Sequence, residues 1–199
     1  ISVERRHTPN VERSKSMKLE LSRLTTENLH EFLDYFDHRA FLNDEDWAGC
    51  YCQAYLYPPE TNEEDIFGPG KARVAACDRV AEGKMDGYLA HSQGKMVAWC
   101  AAGNSKLFQR LPDADDTLAR IICFNVDPDF RNQGIAGELL DLIIEDLSNR
   151  GFAAVEAAPS TDDSSDRSFQ GTVSMYQERG FEKVMDMPTG QVLMRRHFD

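Results

Sequence analysis

The chain has 199 residues, 41% apolar and 28% charged, with a net charge of -12 and a mean hydropathy of -0.51. That suits one folded core rather than a disordered or fibrous chain, and so acidic a surface argues against nucleic acid as a partner. No apolar stretch reaches the roughly 20 residues that cross a bilayer, and the first residues lack a signal peptide's apolar centre, so the expectation is a cytoplasmic protein with no membrane contact.

Residues 1–16 are polar and without period, and read as a flexible extension or an expression remnant; residues 17–199 read as one domain. A half-buried first strand over 17–24 places Leu19 and Leu21 on one side. Thr26 then caps a helix whose apolar residues Leu29, Phe32, Leu33, Phe36 and Ala40 recur at helical spacing. The following DEDWAGCYCQAYLYPP is aromatic but not periodic, and 60–70 reads as loop. A second helix runs from about Lys71 to Glu82, with Val74, Cys77 and Val80 on one side and Gly83 as its stop.

Tyr88–His91 and Met96–Ala102 form a hairpin through a turn at Ser92–Gly94. Residues 121–126 are a buried strand that ends at Asp127-Pro128. The longest helix spans Gly134–Arg150 on the stripe Ile135, Leu139, Leu140, Ile143 and Leu147, stopped by Gly151. FAAVEAAP, a short helix at Val173–Arg179 and the final EKVMDM and GQVLMRR complete the order β-α-α-β-β-β-α-β-α-β-β, an α/β domain with a mixed sheet.

Cys50, Cys52, Cys77, Cys100 and Cys123 are odd in number and lack zinc spacing, and the histidines are isolated. They read as reduced thiols, and no metal site is expected.

The segment RNQGIA, residues 131–136, joins the buried strand to the longest helix. The first amides of that helix carry the positive end of its dipole and suit an anion. Gly134 lets a ligand approach the backbone, Ala136 keeps the next turn low, and Phe130–Gly137 holds Arg131 but no carboxylate. The first acid of the helix is Glu138. A pyrophosphate is the natural occupant, although neither a dinucleotide fingerprint nor a triphosphate loop is present.

NVDPDFRNQGIAGELLDLIIEDL, with AAVEAAP and SMYQERGFEKV after it, resembles the GCN5-related N-acetyltransferase (GNAT) superfamily over residues 17–196. Arg131, Gly134 and Ala136 fill the defining positions of its coenzyme A motif, Q/R-x-x-G-x-G/A. The resemblance implies a mixed, mostly antiparallel twisted sheet of six to seven strands with a central splay, flanked by about four helices. Its co-substrate would be acetyl-CoA, with no metal. The backbone of Phe124, Asn125 and Val126 would hold the pantetheine arm, with a bulge near Asn125 or Val126. Arg131, Asn132, Gln133, Gly134, Ile135, Ala136 and Gly137 would hold the pyrophosphate.

The implied reaction moves acetyl from the thioester to a primary amine, most simply of a small molecule, by direct attack in a ternary complex. Tyr176 matches the tyrosine placed beside the sulfur and would donate to the departing thiolate. The base stays open among Glu156, His91 and a water. Trp47, Cys50, Cys52 and Glu156 are the candidate substrate residues, and Asp162, Asp163 and Asp166 would draw in a cationic amine. A protein amino-terminus or lysine is the alternative acceptor, and a non-catalytic acyl-CoA sensor the alternative role. Either a monomer or a homodimer is compatible.

Overall fold

The computed structural model describes residues 18–42, 47–161 and 169–199. The expected extension at 1–16 and the aspartates Asp162, Asp163 and Asp166 lie outside the described residues. Seven strands form one sheet: β1 (Glu20–Arg23), β2 (Tyr88–Ser92), β3 (Lys95–Asn104), β4 (Leu118–Val126), β5 (Ala154–Ala157), β6 (Glu182–Asp186) and β7 (Val192–His197). Their spatial order is β1-β2-β3-β4-β5-β7-β6, and only the β4–β5 pair is parallel. The mixed, mostly antiparallel sheet is therefore as the sequence suggests. The helices are α1 (Leu29–His38), α2 (Glu63–Phe67), α3 (Lys71–Ala81), α4 (Ile135–Asn149) and α5 (Val173–Gln177), one more than expected.

The extra helix is α2, inside a stretch read as loop. Its signal is local: the Asn62 side chain accepts from the Glu64 amide at 2.9 Å, and Glu63, Glu64 and Asp65 complement the dipole in the first turn. Helix α3 also turns differently. Ala72, Ala76 and Val80 face inward, while Val74 is 60% exposed. Alanines at i and i+4 let α3 approach the neighbouring layer closely, Val80 closes the same face, and Val74 is left in solvent. In the β2–β3 hairpin Ser92 pairs with Lys95, so the turn is Gln93–Gly94 alone, both at positive φ.

The sheet carries a core on each face. On one, α4 buries Ile135, Leu139, Leu140, Ile143, Ile144 and Leu147 against β3, β4 and β5, together with Tyr176 of α5. At ~1.5–3 kcal/mol per buried side chain, this stripe outweighs any cap, and α4 begins at Gly134 with no side-chain cap. On the other face Phe32, Tyr35 and Phe36 of α1 and the inner alanines of α3 pack on Leu89, Trp99 and Ala101. Tyr35 ties α1 to the central strand: its hydroxyl donates to Asn125 Oδ1 at 2.6 Å.

Candidate active site

Strand β4 is the pivot of the site. It pairs with β5 only over Leu118–Ile121, against Ala154–Ala157, and then runs on to Val126 without that neighbour. The divergence coincides with a register shift: Ala101 pairs with Cys123 and Ala102 with Ile121, so Ile122 is the extra residue of a bulge. The bulge was expected near Asn125 or Val126 and falls earlier. It breaks the alternation of faces. Ile121 points to the α4 core, whereas Ile122 and Cys123 both join the α1 core.

Beyond Val126, Asp127 stops the strand by accepting from the Asp129 amide at 3.1 Å, and Pro128 has no amide for a ladder. The chain then turns into α4 through Asn132 and Gly134, at φ +60° and +80°. A Cβ on Gly134 would meet nothing within 4 Å, so its backbone faces open space. No hydrogen bond among the described residues uses the amides of residues 132–137; the first bond of α4 runs from the Glu138 amide to the Gly134 carbonyl at 3.1 Å. The Glu138 carboxylate turns away to accept from the Leu19 amide at 3.0 Å. Six amide hydrogens and a helix dipole thus converge where no carboxylate of the described residues balances them.

These amides open onto a groove of about 300 Å³, lined by Phe124, Val126, Phe130, Arg131, Asn132, residues 134–137 and Phe169. Eight of the ten residues expected to bind the cofactor meet here. Two do not. The Asn125 side chain lies on the opposite face, 1% exposed, and donates to the Ala40 carbonyl at 3.1 Å as well as accepting from Tyr35. Gln133 donates its side-chain amide to the Asp129 carbonyl at 3.1 Å, so it braces the turn and leaves only its backbone for a ligand.

The edge of β4 within the groove is not bare, contrary to expectation. Phe169 accepts from the Phe124 amide at 2.5 Å, and Arg131 Nε donates to the Val126 carbonyl at 3.0 Å. The next residue, Gln170, offers its carbonyl to the Tyr176 hydroxyl at 3.0 Å. Tyr176 is fully buried, stacks edge-on with Phe181 at 5.0 Å and does not line the groove itself. Burial pushes its phenol well above the ordinary range, with the Cys100 and Cys123 thiols adding to the effect, so it stays protonated.

A second, smaller cavity of about 50 Å³ continues along β4. Ile122 and Cys123 form its floor, Phe41, Trp47, Cys50 and Tyr55 its walls, and Phe169 the partition from the first groove. Trp47, Cys50 and Cys52 were expected near substrate, and the structure brings all three to this cavity. Tyr51 and Cys52 are both left-handed, at φ +41° and +51°, a strained arrangement that aims the flanking thiols inward. Trp99 Nε1 holds Cys52 Sγ at 3.1 Å. The Cys50 thiol is pushed up first by its hydrogen bond with Cys52 and then by burial, and Cys52 first by its bond with Cys123, so both remain neutral.

Glu156 is elsewhere. Its carboxylate, 1% exposed, accepts from Arg120 Nε at 3.2 Å and from Arg195 Nη2 at 2.6 Å, and it lines neither cavity. It serves as a buried structural ion pair. His91 lies on β2, separated from β4 by β3, with Nε2 2.9 Å from Glu31 Oε2. Neither is placed to take a proton from an amine. The residues that reading the sequence missed are Phe169, Phe41 and Ile122. A lone aromatic in the otherwise polar STDDSSDRSFQGT was the available signal for the first. Among the described residues no group of His, Cys, Asp and Glu is placed to hold a metal, and no helix is long and apolar enough to cross a membrane.

The sequence matches the family model "Acetyltransferase (GNAT) family" over residues 20–181. No curated protein matches it. Among solved structures it is similar to the PaiA N-acetyltransferase from Thermoplasma acidophilum in complex with coenzyme A, at 14% identity and TM-score 0.54, covering 92% of this chain and 100% of that one. It is also similar to the ribosomal-protein-S18-alanine N-acetyltransferase from Escherichia coli, at 17% identity and TM-score 0.52, covering 90% and 94%. A GNAT-family acetyltransferase from Streptococcus pneumoniae aligns at 13% identity and TM-score 0.56, covering 92% and 100%. At such identities these likenesses speak to the fold.

Proposed function

We propose that this chain, which belongs to the acetyltransferase (GNAT) family, is an acyltransferase that moves acetyl from acetyl-CoA to a primary amine of a small molecule. The observation that carries this is the row of amides at residues 132–137, left without acceptors among the described residues and facing a groove that ends on the unzipped edge of β4. Peptide N–H groups at a helix start are suited to a diphosphate, and a strand edge that no neighbouring strand pairs is suited to an amide-bearing arm once the Phe169 and Arg131 contacts on it give way.

Arg131 and the backbone of residues 132–137 would hold the diphosphate, and Phe124 and Val126 the arm. Bound acetyl-CoA supplies an activated acetyl group whose C–S bond breaks as a neutral amine forms the new C–N bond. The chain's own residues then have two tasks. Phe169 yields the Phe124 amide to the arm, and Gln170 yields the Tyr176 hydroxyl to the sulfur. Two consecutive carbonyls thus stand in for a ligand's acceptors, and both are released by one movement of the backbone. Tyr176, kept protonated by burial, donates a hydrogen bond that stabilises the departing thiolate, which takes up a proton from solvent as the amine's proton leaves to solvent.

Tyr176→Phe tests this division of labour. Turnover is expected to fall on the order of 100-fold, while acetyl-CoA affinity measured by calorimetry stays nearly constant. Equal turnover of the two proteins at every pH would remove Tyr176 from the chemistry. A groove that also admits a peptide would instead turn over a protein amino-terminus, which the same thiol-release assay detects.

A further inference from the structure

We infer that the acceptor is a primary amine carried on a short alkyl body, and that this body seats in the cavity between Ile122, Cys123, Phe41, Trp47 and Cys50. The inference rests on the transferase reading and narrows its substrate.

Position argues for it first. The groove beside Gly134 is floored by Val126 and Phe124, and the second cavity by Cys123 and Ile122, so the two follow one another along a single strand. A ligand fixed by its diphosphate at residues 132–137 and extended along β4 points its far end at this cavity, across the Phe169 partition. The bulge at Ile122 makes the alignment possible, because it turns two successive side chains to the same face.

Chemistry argues for it second. Among the described residues the ionisable groups lining the cavity are three thiols and a phenol, Cys50, Cys52, Cys123 and Tyr55, and the Cys50 and Cys52 thiols are pushed up by the bonds among the thiols and by burial. No described carboxylate lines it, so among the described residues an ammonium gains no partner there, whereas an apolar body gains its burial. The same surroundings favour the neutral amine that attack requires.

Size sets the class. A cavity of about 50 Å³ admits a short chain and lies well below the roughly 150 Å³ that holds a benzene ring. A larger outer pocket of about 430 Å³, lined by Glu63, Glu64 and Phe67, shares Trp47 and Cys50 with the cavity. It would suit a polyamine, but no β4 residue lines it, and so it stands away from the thioester's path.

The experiment is a thiol-release assay of the full chain with acetyl-CoA and propylamine, isobutylamine, phenethylamine, ethanolamine and 1,4-diaminobutane. Acetyl-CoA binding is followed in parallel by calorimetry. The short alkylamines are expected to exceed the diamine, ethanolamine and phenethylamine by at least tenfold in kcat/KM, since one methylene in a fitted apolar pocket is worth roughly that factor. Trp47→Ala, at a side chain 44% exposed and so tolerant of replacement, is expected to move the ratio of phenethylamine to propylamine upward by about tenfold. Preference for the diamine or ethanolamine, or binding of acetyl-CoA with no transfer to any of the amines, overturns the inference and leaves cofactor binding intact. Absence of acetyl-CoA binding removes the transferase reading itself.

Discussion

Gly134→Asp weakens acetyl-CoA binding by two orders of magnitude or more and leaves the fold in place. The position tolerates the change sterically. A Cβ there meets nothing within 4 Å, and aspartate is among the few side chains that accept the left-handed backbone at φ +80°. What changes is charge. The new carboxylate lies among amides that have no acceptor among the described residues, complements the dipole of α4 and repels a diphosphate. Like charges forced together cost several kcal/mol, and ~1.4 kcal/mol is a factor of ten in affinity. Gly134→Asn is the control, because it adopts the same backbone and brings no charge, so its loss is expected to be much smaller. Calorimetry on the three proteins decides the matter. Equal affinity of the aspartate variant would mean that the turn does not hold the diphosphate.

Glu156→Ala produces the largest stability change. The carboxylate joins Arg120, fully buried, to Arg195, and Arg120 also donates to the carbonyls of Phe108 at 3.3 Å and Leu111 at 3.0 Å. Removing one partner of a buried pair leaves the other charge uncompensated, at a cost of about 3–5 kcal/mol. For a chain of this size each kcal/mol moves Tm by about 2–4 °C, so the midpoint falls by roughly 6–20 °C. Desolvation already pulls the Arg120 pKa down, which marks how much it depends on its carboxylate. The double variant Glu156→Ala with Arg120→Met recovers part of the loss, since it removes the orphaned cation. Turnover of the folded single variant is expected to match the parent. A large drop in turnover without a drop in Tm would restore Glu156 to the chemistry.

The parts of the molecule that could be read from the sequence are those governed by local pattern. Helix α4 shows its stripe from Ile135 to Leu147, and β4 its unbroken apolar run. The turn into α4 was legible because Arg131, Gly134 and Ala136 carry backbone and charge information within a few residues. Long-range pairings carry no such signature. Asn125 was assigned to the cofactor because nothing nearby reveals Tyr35, 90 positions away, and Glu156 looked free because Arg120 is 36 positions off. A bulge leaves composition unchanged, so Ile122 could not be singled out, although its displacement is what builds the second cavity. Helix α2 was missed for a different reason: prolines and glycines flank its Asn62 cap and drew the whole stretch into a loop reading.

The most direct test is nuclear magnetic resonance of ¹⁵N-labelled protein titrated with coenzyme A and, separately, with pantetheine. With coenzyme A, the amides of Gly134, Ile135, Ala136 and Gly137 are expected to move downfield and saturate together with that of Phe124 as it exchanges the Phe169 carbonyl for the arm. Pantetheine, which lacks the diphosphate, should move Phe124 and leave the turn still. Saturating coenzyme A that shifts neither Gly134 nor Phe124 would contradict the account at its root.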